Sequence, residues 1–255
     1  MTITFLGTGT SCGVPVIGCD CDVCRSSDPK DSRLRASVLV ETASTRLLID
    51  CGPDFREQIL PQPFRQINGV LLTHIHYDHV GGLDDLRPYC RFGEINVFAD
   101  TFVSDTLMRT IPYCFAEHRY PGVPAIHLNR IEPHVPLTIG NIDVLPFTVM
   151  HGHMPIMAFR MGPLTYITDM KTIDDAELPL LRGTDTLVVN ALRFAPDHHS
   201  HQTVDEAIAF ARRIGARRTL LTHICHDIGQ HRQVNASLPA DIQLAYDGQT
   251  LQIGD

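Results

Sequence analysis

Short runs of continuous or alternating apolar residues recur along the whole chain. They lie at Thr2 to Leu6, Ser37 to Glu41, Arg46 to Ile49, Val70 to Thr73, Ile95 to Ala99, Ile142 to Met150, Ile156 to Met161, Leu164 to Thr168, Thr186 to Val189, Thr219 to Thr222 and the closing Ile242 to Ile253 stretch. Runs of this length and period predict strands, the continuous ones buried on both faces. A helical period lies between them, most clearly over Val204 to Ile214, with Thr203 as N-cap and Gly215 as stop. Weaker helical patterns cover Pro53 to Leu60, Gly82 to Arg91, Asp100 to Thr110 and Asp174 to Leu181. Strands and helices alternate without a Gly- or Ser-rich linker, so residues 1–255 read as one α/β domain. The proline-rich stretch Ile111 to Pro136, with Tyr113, Phe115 and Tyr120, reads as a long insertion or flap, either a lid or subunit contact in a homodimer or a plain surface excursion.

Composition narrows the function. A chain of 255 residues, 44% hydrophobic and 20% charged, fills one core comfortably. Lys+Arg 21 against Asp+Glu 29 leaves a net charge of -8, the wrong sign for binding nucleic acid through its phosphates. No apolar run approaches the roughly 18 residues of a membrane span, and the first residues lack a basic region. The expectation is a soluble, cytoplasmic protein that keeps its eight cysteines reduced. Cys12, Cys51, Cys90, Cys114 and Cys225 are scattered and read as small buried apolar residues, whereas Cys19, Cys21 and Cys24 are clustered. The fourteen histidines, many beside one another or beside aspartates, point to metal binding.

Four apolar runs deliver a ligand-type side chain where they end: at His74, at His151, at Asp169 and at His223. A shared site at one edge of the sheets follows. In His74-Ile75-His76-Tyr77-Asp78-His79, alternate side chains of an extended segment share a face. His74 and His76 can therefore meet one ion, and the turn that follows can swing Asp78 and His79 toward a second. Imidazole and carboxylate suit zinc and similar divalent ions. Asp50 and Asp247 fit the role of holding imidazole tautomers by accepting the distal N–H, with a plain turn aspartate as the competing reading of Asp247. Cys19, Cys21 and Cys24 are spaced to wrap one zinc, with His226 as the candidate fourth ligand; a free-thiol loop is the alternative. Gly7 to Gly13 has the wrong spacing for a dinucleotide-binding turn.

His74, His76, Asp78 and His79 match the H-x-H-x-D-H signature of the metallo-β-lactamase superfamily, which the chain resembles over nearly its whole length. The resemblance implies a four-layer αβ/βα sandwich with two divalent metals, Zn or Mn, at one edge of two facing sheets. By position, His151 would join His74 and His76 on the first metal, His223 would join Asp78 and His79 on the second, and Asp169 would bridge them; His153 is a rival to His151. The cysteine loop, with Gly7 to Pro15 and His223 to His226, is similar to the branch containing the phosphoribosyl cyclic phosphodiesterase of the carbon–phosphorus lyase pathway. That likeness implies one structural zinc on Cys19, Cys21, Cys24 and His226. His201, in His201-Gln202-Thr203, resembles the H-x-T element of phosphodiesterase branches of the superfamily, including tRNA 3′-processing endonucleases.

The implied chemistry is hydrolysis, since paired metals acidify a shared water and neutralise an oxyanion. The leading expectation is a dimetal phosphodiesterase acting on a small phosphate ester, cyclic ones included. In it Asp78 and His201 are catalytic, His201 as proton donor to the leaving oxygen, with Arg193 or Lys171 adding charge at the phosphate. The alternatives are a lactone or thioester hydrolase on the same scaffold and a non-catalytic metal-binding module.

Overall fold

The structure, a computed structural model, describes residues 1–116, 118 and 121–254. The first strands are β1 (Thr2–Gly7), β2 (Ser37–Glu41), β3 (Arg46–Ile49), β4 (Gly69–Leu71), β5 (Ile95–Ala99) and β6 (Ile126–Arg130). With the closing β14 (Thr250–Gln252) they form a seven-stranded sheet in the order β14-β1-β2-β3-β4-β5-β6. The next are β7 (Leu137–Ile139), β8 (Ile142–His151), β9 (Met154–Met161), β10 (Leu164–Tyr166), β11 (Thr186–Asn190), β12 (Arg218–Thr222) and β13 (Ile242–Leu244). These make a second seven-stranded sheet in the order β13-β12-β11-β10-β9-β8-β7.

Strand alternation explains why the runs read as continuously apolar. In β3, Leu47 and Ile49 face the core between the sheets, where Phe5, Leu71, Phe159, Tyr166 and Leu220 meet, while Leu48 faces outward. That outer face is covered by α1 (Phe55–Ile59) and α3 (Thr101–Thr110), which contribute Phe55, Val103 and Leu107. The outer face of the second sheet is covered by α4 (Val204–Ile214) and α5 (His231–Ser237) through Val204, Phe210 and Val234. Helix, sheet, sheet and helix are thus the four layers of the metallo-β-lactamase fold. Each buried Leu, Ile or Phe contributes roughly 1.5–3 kcal/mol from apolar burial. Buried Arg46 is kept from being a liability by Glu41 at 2.6 Å and the Pro63 carbonyl at 2.8 Å.

The two halves share one device. β3-β4-β5-β6 run parallel, as do β10-β11-β12-β13. In-register parallel neighbours such as Ile49↔Leu71 and Asn190↔Thr222 end together, so their following residues emerge at one edge of each sheet.

Three expectations are corrected. The closing stretch is two strands, not one, and β13 and β14 belong to opposite sheets because an alternating pattern does not say which sheet it joins. The stretch read as a flap carries the edge strand β6, which pairs along β5 from Ile95↔Ile126 to Ala99↔Arg130; prolines on either side hid its alternation. Of the aromatics expected in that flap, Tyr120 lies outside the described residues. Leu83–Phe92 and Asp175–Leu181 are 3-10 segments, Pro88 and Pro179 within them each lacking the N–H an α-helix requires. α4 carries its expected cap as a full capping box, Thr203 N donating to Glu206 Oε2 at 2.8 Å. Among the described residues no helix is long and apolar enough to cross a membrane.

Candidate metal centre

β4 ends at Leu71 and the chain runs extended to His76, which precedes a single helical turn, α2 (Tyr77–Val80). That turn buries Asp78 and His79 while leaving His76 at the exposed mouth. Gly52 makes the approach possible, because a Cβ there would lie 2.1 Å from the Asp78 carbonyl oxygen. From the second sheet, Asp169 follows β10, His151 ends β8 and His223 follows β12. Asp50, Asp169 and His223 all adopt φ between 55° and 60°, left-handed backbone that non-glycine residues rarely take.

The donor atoms converge in two sets. His74, His76, His151 and Asp169 form one, and Asp78, His79, Asp169 and His223 the other, with the ligand atoms of each set within 4.8 Å of one another. Asp169 belongs to both. The Nε2 atoms of His74, His79 and His223 are buried without a hydrogen-bond partner among the described residues, a costly state for neutral protein but the one a divalent ion needs. The donor chemistry therefore fits divalent metal.

The distal nitrogens are fixed. His79 Nδ1 donates to Asp50 Oδ2 at 2.7 Å. Thr73 Oγ1 donates to the same oxygen at 2.8 Å and faces His74 Nδ1 at 3.0 Å, so its free lone pairs accept that N–H. Asp50 thus orients two rings, one directly and one through a threonine that the sequence reading passed over. His151 Nδ1 donates to the carbonyls of Asp169 at 2.7 Å and Ser200 at 2.9 Å, leaving Nε2 for the ion.

Electrostatics follow from this crowding. Burial pushes the Asp78 and Asp169 carboxyls up, yet the rings of His79 and His223 overcome it and hold both below the usual carboxylate range. Burial likewise opposes a charge on His79, but Asp169, Asp50 and Asp78 raise it well above an ordinary histidine. Burial lowers His74, reinforced by His79. Burial also brings His201 down to about 4.

His201 stacks on His223 with centroids 4.9 Å apart and sets Nε2 3.2 Å from Asp169 Oδ2, at the rim of both sets. His153 is not in either set: β8 ends at His151, and Gly152 (φ 61°) and His153 form the two-residue turn into β9, so the face-sharing expected of an extended strand stops one residue earlier. Asp247 is a correction of another kind. Its oxygens accept from Thr8 Oγ1 at 2.7 Å and Leu34 N at 2.6 Å, and His223 Nδ1 has no partner among the described residues. Asp247 braces the N-terminal loop instead of a ligand. Lys171 is held by Asp197 at 2.6 Å and Glu206 at 2.8 Å, and Arg193 by Asp227 at 3.2 Å, so neither cation is free for a phosphate.

A second cluster lies on the N-terminal loop. Cys19, Cys21, Cys24 and His226 place their ligand atoms within 4.8 Å of one another, with His226 Nδ1 3.4 Å from Cys19 Sγ and 3.3 Å from Cys21 Sγ. The His226 ring lowers Cys21 to about 6, whereas burial raises Cys24 to about 11. Three soft sulfurs and one imidazole are the donor chemistry of a structural zinc site.

This fold and this His/Asp cluster define a metallo-β-lactamase-type metal-binding protein. The chain belongs to the beta-lactamase superfamily domain family, whose model matches residues 45–224. It is 42% identical over 249 residues to the octanoyltransferase of Porphyromonas gingivalis, covering 97% of this chain and 51% of that protein. The chain thus spans about half the length of that relative, and the activity in its name is that of the longer protein. A crystal structure of a new diphosphatase from the PhnP family superposes with a TM-score of 0.91 at 40% identity, covering 98% of this chain and 96% of that one. Zn(2+)-bound PqqB from Methylobacterium extorquens shares the fold, with a TM-score of 0.83 at 20% identity over 99% of this chain and 100% of that one.

Proposed function

We infer that the protein is a metal-dependent hydrolase of phosphorus esters, a dimetal phosphodiesterase acting on small phosphate esters, cyclic ones included. The carrying observation is the pair of ligand sets that share Asp169. Likeness to a PhnP-family diphosphatase at 40% identity supports phosphorus chemistry. Divalent ions, when bound, supply an acidified water as nucleophile and positive charge against the phosphoryl oxygens.

The chain's own residues do the rest. His74, His76 and His151 with Asp169 would hold one ion; Asp78, His79 and His223 with Asp169 would hold the other. Asp50 and Thr73 keep Nδ1–H on the rings of His79 and His74 so that Nε2 presents its lone pair. His201 carries its proton on Nε2, since the atom 3.2 Å away is a carboxylate oxygen that only accepts. In its doubly protonated form, which an anionic phosphate beside the ring favours, it is placed to pass a proton to a leaving alkoxide and return to neutral imidazole. The cysteine cluster, loaded with zinc, ties the N-terminal loop to the chain just after His223.

The test is hydrolysis of bis(p-nitrophenyl) phosphate after chelation and again after Zn²⁺ or Mn²⁺ is restored. Metal-dependent cleavage is expected. Lactone or thioester cleavage with none of the phosphodiester, or no turnover by the fully loaded protein, overturns the assignment.

A further inference from the structure

Gly7-Thr8-Gly9, where β1 ends, fails as a dinucleotide-binding turn and belongs to neither ligand set. The two glycines let the chain press against residues 33–35: a Cβ at Gly7 would stand 2.0 Å from the Arg35 carbonyl oxygen, and one at Gly9 would stand 2.9 Å from that of Arg33. Thr8 between them is fully buried, and its hydroxyl is engaged twice. Arg33 Nη1 donates to Oγ1 at 2.8 Å, which leaves the hydroxyl proton to Asp247 Oδ1 at 2.7 Å, a carboxylate oxygen that only accepts. Arg33 is itself buried and donates to the Ala245 carbonyl at 2.7 Å, while Asp247 accepts from Leu34 N at 2.6 Å. Thr8 is therefore fixed from both sides.

That fixed segment holds the chain beside it. The Thr8 carbonyl accepts from Ile224 N at 2.9 Å and Thr10 N donates to the Ile224 carbonyl at 3.0 Å, so Ile224 is clamped at both its backbone groups. Ile224 follows His223, whose backbone is held at φ 55°. The other buried ligand imidazoles are oriented by an acceptor on the distal nitrogen: Thr73 for His74, Asp50 for His79 and two carbonyls for His151. His223 has no such acceptor among the described residues. It stacks on His79 and on His201, with centroids 5.7 and 4.9 Å apart, but near-parallel rings slide on one another and do not fix its reach. We propose that Thr8 is a positioning residue for His223. Held by Arg33 and Asp247, it clamps Ile224 and so sets how far the His223 ring extends into the second ligand set. The proposal rests on the two-ion reading given above.

The experiment titrates the His/Asp centre with Mn²⁺ by calorimetry, since carboxylate and imidazole suit that ion and thiolates do not, which keeps the cysteine cluster out of the count. The wild type is expected to bind two ions. Thr8→Val keeps the shape without the hydroxyl and should weaken one ion about tenfold, as loss of an outer partner does, while the other stays within about twofold. Thr8→Ser should restore wild-type binding. In a His223→Ala background Thr8→Val should add nothing, because the residue it acts through is gone. Asp247→Asn, which keeps its size and gives up the charge that accepts from the hydroxyl, should weaken the same ion and tests the pairing even where Thr8→Val does not fold. Equal weakening of both ions, wild-type affinities in the folded variants, or losses that add to those of His223→Ala overturn the proposal and leave Thr8 a purely structural residue. A wild type that takes up only one Mn²⁺ at the centre overturns the two-ion reading instead. Thr8 then stands or falls on whether that ion weakens with Thr8→Val but not once His223 is gone.

Discussion

The Asp50 carboxylate and the His79 imidazole stand 2.7 Å apart, both fully buried, and the remaining contacts of Asp50 with Thr73 extend its hold to His74. One aspartate at the end of β3 thereby orients a ring from each ligand set. Asp50→Asn keeps the shape but offers only one oxygen and cannot take the same charge-assisted bonds. Metal affinity or turnover should fall about 10–100-fold, as removal of such partners does elsewhere. Metal titration of the variant checks this, and wild-type affinity would make Asp50 a packing residue only.

His201 should matter to rate more than to metal. His201→Ala is expected to lower kcat for bis(p-nitrophenyl) phosphate by about 10²–10⁴ while two metals per chain remain at the centre. Elemental analysis alongside kinetics separates the roles. A variant that loses metal in step with activity would make His201 a ligand.

Cys24 anchors the loop cluster through its sulfur, which accepts from Val16 N at 3.4 Å. Cys24→Ser should lose one zinc per chain and lower the melting midpoint by several degrees, since each kcal/mol moves a chain of this size by about 2–4 °C. The His/Asp metals should stay bound. An unchanged metal count would reassign the cysteines as free thiols.

His231 gives the fold a dependence on acid. Its Nδ1 accepts from Arg33 Nη2 at 3.1 Å, and burial, followed by the charges of Arg33 and Lys30, brings it down to about 4. The unfolded side chain titrates near ~6.5 and so takes up protons first as pH falls. The stability His231 contributes is complete above ~6.5 and drains away as pH drops toward 4. With metals removed from both, the wild type should lose on the order of 2 kcal/mol more than His231→Gln between about pH 7 and pH 4 in denaturant melts. Parallel pH profiles would remove His231 from the account.

Much was legible from the chain because strand periodicity and ligand chemistry are local. Ser37–Glu41, Arg46–Ile49, Ile95–Ala99 and Val204–Ile214 begin and end where the pattern puts them. The residues His74 to His79 name a metal chemistry by themselves. What depends on distant contacts was not legible. β6 was hidden because flanking prolines interrupt its alternation, and its pairing with β5, some thirty positions earlier, leaves no local signal. Thr73 carried no signal because its hydroxyl gains meaning only when Asp50, from another strand, stands 2.8 Å away. Lys171 and Arg193 looked available because their carboxylate partners come from remote segments.

The sequence alone determined the alternation of strands and helices, the donor types and their spacing within each segment, since these follow from nearest neighbours along the backbone. Long-range packing set which donors meet: His151 and not His153 stands in the first cluster, Asp50 and not Asp247 faces a ligand ring, and Asp169 lies in both clusters. Those choices are made where two sheets meet, by turns and left-handed residues whose strain is borne by the packing around them.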